Sequence, residues 1–283
     1  MTQASDELRH EGESAPRFAA GWYRVADASV FRSARPVALR WMGEDVVAFR
    51  GPADEAGSSL RLMQGHCPHL GAHLGVGGRV VDGRLVCPFH GWEFDARSGS
   101  LEAVPYSTKA TPKVCLRRWS ARQVGASVFG WWGASTSLVA ELRMPWSQGE
   151  AWYSSGAPTE VYAHHGGDWT RAFERGGVEF ERLGPGYGCV RVPGQGSTST
   201  DAPLWLVTAS PAGDALGRDA IHLRFEYFAA RRRDASGASL RERRSGAPLR
   251  AWLERAGFER HSESGSRRRA LLPLWFPASE GAR

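Results

Sequence analysis

Two cysteines and two histidines stand in the sequence as Cys67-Pro68-His69 and Cys87-Pro88-Phe89-His90, with residues 70 to 86 between them. Thiolates and neutral imidazoles are soft donors that suit iron or zinc. In a [2Fe–2S] centre of mixed ligation, both thiolates go to one iron and both imidazoles to the other. A tetrahedral zinc ion takes the same four donors. Zinc knuckles, however, pair ligands of one type, whereas each loop here mixes Cys with His, and glycines and aromatics surround both loops. That pattern suits a dinuclear cluster better. His66 and His73 adjoin the donors but break their spacing, and read as surface or supporting residues.

Something must bring the two loops together. Arg79-Val80-Val81-Asp82-Gly83-Arg84-Leu85-Val86 reads as two short strands around Asp-Gly, the dipeptide suited to a two-residue type I′ turn. A hairpin returns its ends to one place, so Cys67/His69 and Cys87/His90 are expected side by side. Gly71, Gly75, Gly77, Gly78 and Gly91 would let the backbone pass close to a cluster and aim N–H groups at its sulfurs. Trp92 and Phe94 are expected to wall it from water. Upstream, Val37 to Met42 and Val46 to Phe49 form a hairpin around Gly43-Glu44-Asp45, and Leu60 to Met63 is a strand leading into the first loop. The runs Lys113 to Trp119 and Ala126 to Trp132 close this unit.

The chain has 283 residues, 42% hydrophobic and 11% aromatic, enough for one large or two ordinary domains with a real core. Its net charge of +6 is carried almost wholly by arginine, Lys109 and Lys113 being the two lysines. The runs Arg231 to Arg233, Arg241 to Arg244 and Arg267 to Arg269 read as solvated surface, with an acidic protein partner second; no interleaved aromatics or helix-turn-helix pattern points to nucleic acid. Cys115 and Cys189 stand singly in strand-like text and are expected as free buried thiols, which fits a reducing compartment. No signal-peptide pattern or apolar run of membrane-spanning length occurs, so a cytoplasmic protein without a membrane span is expected.

Residues 1–17 are polar without periodicity and are expected to be a disordered tail. The texture changes near 135, which places one domain at 18–135 and a second at 136–283. In the second, Ala151 to Tyr153 is a short strand and Asp168 to Arg175 a helix. Leu204 to Ser210 pairs with Ile221 to Phe228, where Ile221, Leu223, Phe225 and Tyr227 share one face and His222, Arg224 and Glu226 the other. Pro248 to Ala256 is a helix with Pro at its start, Gly257 past its end, and an apolar stripe of Leu249, Trp252, Leu253 and Ala256. The fold class is α+β: a β-rich cluster domain, then an antiparallel sheet with packed helices.

The stretch CPHLGAHLGVGGRVVDGRLVCPFHGWEFD resembles the Rieske domain of ring-hydroxylating-type non-haem iron oxygenases, and most of all the cholesterol 7-desaturase and 3-ketosteroid 9α-hydroxylase branch. The likeness is close from Gly21 to Gly133 and weak afterwards. It implies a [2Fe–2S] cluster held by Cys67, His69, Cys87 and His90, and a helix-grip second domain. Respiratory Rieske proteins carry an extra disulfide and a sulfur-bonding Ser; here the matching positions are Ala72, Phe89 and Trp92, which implies the low-potential type.

The family also implies a mononuclear Fe(II) bound by two His and a carboxylate. The resemblance implies an Asp bridging to a neighbouring subunit's cluster, then a His three residues on and a second His five residues beyond the first. Asp168 matches the Asp, but Arg171 and Gly176 occupy the two His positions. His164 and His165 with Asp168 offer the right donor types, yet adjacent histidines diverge on a helix or a strand. Glu254 is the nearest match to the late carboxylate but should face water, and His222 and His261 are isolated. The expectation is a Rieske electron carrier that takes electrons from a reductase or ferredoxin and passes them to non-haem iron on a partner in a homo- or hetero-trimer, with Asp168 as candidate bridge. The alternatives are a self-sufficient oxygenase of a sterol-like substrate with an iron site of His164, His165 and Asp168, and a non-catalytic structural or regulatory subunit.

Overall fold

A computed structural model describes residues 18–33, 35–53, 57–133, 139–146, 153–154, 161–165, 168–174, 178–191, 204–213, 219–229, 247–255 and 258–261. The tail, the boundary near 135 and the three arginine runs lie outside these residues.

The first unit contains β1 (Gly21–Asp27), a 3-10 turn (Ala28–Phe31), β2 (Val37–Trp41), β3 (Glu44–Arg50), β4 (Leu60–Gln64), β5 (Arg79–Val81), β6 (Arg84–Val86), β7 (Glu93–Asp95), β8 (Leu101–Ala103), β9 (Arg118–Trp119), β10 (Ala121–Val124) and β11 (Ser127–Trp132). They form three antiparallel sheets, ordered β1-β11-β10, β2-β3-β4-β9 and β5-β6-β7-β8. The middle sheet is covered on both sides, which is why β3 reads as the continuous run Val46-Val47-Ala48-Phe49. Val46 and Ala48 pack with Tyr23, Trp41 and Val128 on one side. Val47 and Phe49 pack with Leu74, Cys67, Cys87 and Phe94 on the other.

Two local expectations change. The β2–β3 turn is Met42-Gly43, at φ 55° and 86°, and Trp41 faces Glu44. Both central residues of a type I′ turn take positive φ to match the twist of the strands, so Glu44 and Asp45 join β3. Within Lys113 to Trp119, Arg118 and Trp119 make the strand, while Cys115 forms an isolated bridge to Ser100. Cys115 is also exposed rather than buried, its thiol donating to the Ser98 carbonyl at 3.3 Å; Cys189 is buried as expected.

The second unit contains β12 (Tyr153–Ser154), β13 (Val161–His165), α1 (Arg171–Glu174), β14 (Glu179–Gly184), β15 (Tyr187–Arg191), β16 (Leu204–Gly213), β17 (Asp219–Ala229), α2 (Ala247–Arg255) and β18 (Glu259–His261). It is mostly one antiparallel sheet, ordered β14-β15-β16-β17-β13-β18, with β12 also on β17. β16 is buried on both faces. Trp205, Val207 and Ala209 meet Trp252 and Leu253 of α2, while Leu204 and Leu206 meet Trp22 and Phe129 of the first unit. On α2 the stripe holds at Trp252 and Leu253, and Glu254 is exposed.

The two units therefore share an apolar core, and a buried polar joint lies beside it. Leu223, Phe225 and Tyr227 line one face of β17 as the alternation required. The opposite face does not meet water throughout: Glu226 is 1% exposed. Its carboxyl accepts the Ala126 N–H at 2.7 Å, the Ser127 hydroxyl at 2.7 Å and the Ser154 hydroxyl. Arg24, 4% exposed, pairs with Asp27 and reaches Ser127 at 3.3 Å. Among the described residues no helix is long and apolar enough to cross a membrane.

Candidate metal centre

The two donor loops repeat one backbone design. The Gly71 N–H donates to the Cys67 carbonyl at 2.9 Å and the Gly91 N–H to the Cys87 carbonyl at 3.2 Å. The Cys67 N–H in turn donates to the Ala72 carbonyl at 2.9 Å, and the Cys87 N–H to the Trp92 carbonyl at 2.8 Å. Each loop closes through glycine in the left-handed region, Gly71 at φ 74° and Gly91 at φ 68°, where a β-carbon would be strained. Gly75 and Gly78 serve a different end from the one expected: they press on the backbone at Ala38 and Leu74.

The connecting hairpin forms as read. Asp82 and Gly83 take φ 47° and 75°, and Arg79 pairs with Val86. It sets the loops face to face, so Cys67 and Cys87 lie together in one buried cluster. The His69 and His90 rings meet edge to face, 4.8 Å between centres. Both cysteines are 2% exposed, whereas both histidines are half-buried. Thiols thus lie deep and imidazoles at the rim. Burial pushes the Cys67 thiol up to about 11; the Cys87 thiol adds to this, and the N–H groups of His69 and Leu70, aimed at its sulfur, pull it back. A bound metal displaces that proton, because thiolate is the ligand form.

Aromatic rings enclose the imidazoles. Trp92 stacks on His69 at 4.6 Å and 9°, with Phe94 behind it at 6.3 Å. Phe89 stacks on His90 at 3.9 Å. Tyr106 lies 6.4 Å from His69 and 6.3 Å from His90, and its hydroxyl accepts the Trp92 indole N–H at 2.7 Å. Phe89 and Tyr106 gave no sequence signal as wall residues; Tyr106 stands well beyond the second loop and reaches the site only through the fold. His66 supports the first loop, its Nδ1 lying 2.8 Å from the Gly71 carbonyl, and His73 packs on it at 4.9 Å.

The second candidate site is different. His164 and His165 are consecutive positions of β13, paired with Ile221 and Ala220 of β17. Asp168 precedes α1, and its Oδ1 accepts the Thr170 N–H at 3.0 Å and the Thr170 hydroxyl at 2.8 Å, while Arg182 lies 3.6 Å from Oδ2. By turning back onto the backbone in this way Asp168 stays ahead of the helix, which starts at Arg171 rather than at Asp168. Burial raises its pKa, but Thr170, Arg182 and Arg171 lower it more, and the net shift is downward. Behind this turn Phe173 is fully buried among Trp169, Phe180, Trp252 and Phe258. A hydroxyl, an N–H and a guanidinium thus already engage this carboxylate.

Among the described residues no three His, Cys, Asp or Glu are placed to hold one metal ion. In the first site the two thiols lie in the interior and the two imidazoles meet at the rim. That is the donor set a mixed-ligand dinuclear cluster takes, thiolates on one iron and imidazoles on the other.

Residues 21–119 match the family described as "Rieske [2Fe-2S] domain". The cholesterol 7-desaturase of Drosophila melanogaster is 34% identical over 134 residues, 47% of this chain and 30% of the relative. The oxygenase component of 3-ketosteroid-9-alpha-monooxygenase from Rhodococcus rhodochrous is 34% identical over 134 residues, 46% of this chain and 34% of that one. The chain spans about a third of the length of these curated relatives. Among solved structures, Pseudomonas putida CBB5 NdmA with caffeine aligns at TM-score 0.53 and 16% identity, covering 93% of this chain and 85% of that one. The terminal oxygenase of carbazole 1,9a-dioxygenase from Nocardioides aromaticivorans IC177 aligns at TM-score 0.53 and 12% identity, covering 84% of each. The structural likenesses speak to fold alone.

Proposed function

From the premise that residues 21–119 are a Rieske [2Fe–2S] domain, related to those of the Rieske oxygenases, we propose that this chain is an electron-relaying component of an oxygenase system, with Cys67 and Cys87 on the inner iron and His69 and His90 on the outer. When bound, the cluster supplies one-electron transfer between a reductase or ferredoxin and a non-haem iron centre on a partner subunit.

The observation that carries this reading is the contrast between the two sites. In the first, buried thiols and half-buried imidazoles form two pairs, so the imidazole edge is the side from which a partner is reached. In the second, Asp168 is engaged by Thr170 and Arg182, and Arg171 stands where an iron-binding His would be needed. Asp168 remains the candidate contact to a neighbouring subunit, in a homo- or hetero-trimer with a helix-grip second domain. The cytoplasm is the compartment that suits free thiols.

The names of the relatives favour the competing reading, a self-sufficient oxygenase of a sterol-like substrate with iron at His164, His165 and Asp168. Their likeness covers less than half of this chain and falls on the cluster domain. Purified, cluster-loaded protein decides between them: with a reductase or ferredoxin it should be reduced, yet leave sterol-like substrates unchanged until a catalytic oxygenase subunit is added. Oxidation of such a substrate by this chain and the donor alone would overturn the relay reading.

A further inference from the structure

We infer that Tyr106 is a positioning residue for the cluster, holding the Trp92 indole flat against His69 and covering the edge where the two imidazoles meet; this rests on the ligand roles proposed above. Tyr106 is held by its own turn, in which the Ser107 N–H donates to the Val104 carbonyl at 3.0 Å. The neighbouring Pro105 packs within 3.5 Å of the place a β-carbon would occupy on Gly91, so the turn is seated on the second donor loop. From there the Tyr106 hydroxyl takes the Trp92 indole N–H at 2.7 Å. The indole lies parallel to His69, 9° between planes, and is itself buried. Tyr106 thus ties a turn outside both loops to a ring stacked on one loop's imidazole, while its own ring stands near both histidines.

Tyr106 is 60% exposed, so it stands between the two imidazoles and the solvent. Without the hydroxyl the indole N–H loses the acceptor that fixes it, a loss that favours displacement of the indole from the stack. Without the ring, water reaches the imidazole edge. The charge on the cluster sets the sign of the consequence. Ferric ions, sulfides and two thiolates sum to zero in the oxidised state, so the reduced state carries one negative charge, and water stabilises the charged state more. Opening the edge therefore favours reduction.

The test compares cluster-loaded wild type with Tyr106→Phe and Tyr106→Ala by dye-mediated potential titration, by the EPR line shape of the reduced state, and by thermal midpoint. Tyr106→Phe should favour reduction about threefold and broaden the EPR signal, and Tyr106→Ala should do both more strongly. Potentials and line shapes equal to wild type in both variants would overturn the proposal. Should Tyr106→Phe fail to hold the cluster, an unchanged thermal midpoint of the metal-free protein supports positioning, and a lowered one overturns it in favour of a purely folding role. Failure of the underlying ligand assignment is seen separately, as a wild type with no mixed-ligand cluster signal at all.

Discussion

Cys87→Ser abolishes cluster assembly, and iron and acid-labile sulfide fall from roughly two of each per chain to near zero. Serine keeps the size and hydrogen-bonding capacity of the side chain but is a hard, weakly acidic donor. The loop around it survives, because the Cys87 N–H to Trp92 bond and the Gly91 closure are main-chain interactions. The metal-free protein should therefore keep its far-UV signal while losing all visible absorbance. Cys67→Ser should behave alike, the two loops sharing one backbone design. Cys115→Ser, at an exposed thiol bonded only to nearby carbonyls, should leave iron and sulfide unchanged. Metal analysis and visible spectra of the three variants check this, and an intact cluster in Cys87→Ser would remove that residue from the ligand set.

Glu226→Ala should destabilise the protein by about 3 kcal/mol, because it leaves buried donors without their acceptor at roughly 1–3 kcal/mol each, partly relieved by water entering the space. In a chain of this size that is a fall of about 10 °C in thermal midpoint. The donors come from both units, Ala126 and Ser127 from the first and Ser154 from the second. Loss of the acceptor should thus broaden unfolding toward two transitions. The pH dependence has a definite sign. Burial pushes the Glu226 pKa above the ordinary carboxyl value, against the pull of Ala126, Ser154, Ser127 and Arg24. A group whose pKa is higher folded than unfolded gives stability that is complete below the unfolded value and is lost as pH rises through the folded one. The stability gap between wild type and Glu226→Gln is then widest in acid and narrows as pH rises through that window. Denaturant melts at a series of pH values measure it; a gap that widens with pH contradicts the assignment.

The residues differ in how much of this they announced. The Asp82-Gly83 turn and the paired donor loops were legible because both depend on local chemistry: turn geometry selects the dipeptide, and ligand type is written in the side chain. Helix α2 was legible from Pro248 and its apolar stripe, since a single amphipathic helix needs no knowledge of its neighbours. Glu226 was not. Alternation along β17 correctly placed it opposite Leu223 and Phe225, but a period of two gives the face and not what covers it. The cover is the β10–β11 turn, 100 residues away in sequence at Ala126, and Arg24 of β1, further off still. Tyr106 escaped for the same reason, and Cys115 because strand-like text does not say which strands reach the interior. At Asp168 the local signal was present but ambiguous: an Asp near a helix start either joins the first turn or folds its side chain back in a turn ahead of the helix, and Thr170 decided for the turn.

The most direct measurement is iron and acid-labile sulfide per chain, taken together with nitric-oxide EPR of the reduced protein. A Rieske carrier without its own catalytic iron gives about two irons, about two sulfides and no high-spin iron-nitrosyl signal. A third iron accompanied by that signal would contradict it, and would return the oxygenase reaction to this chain.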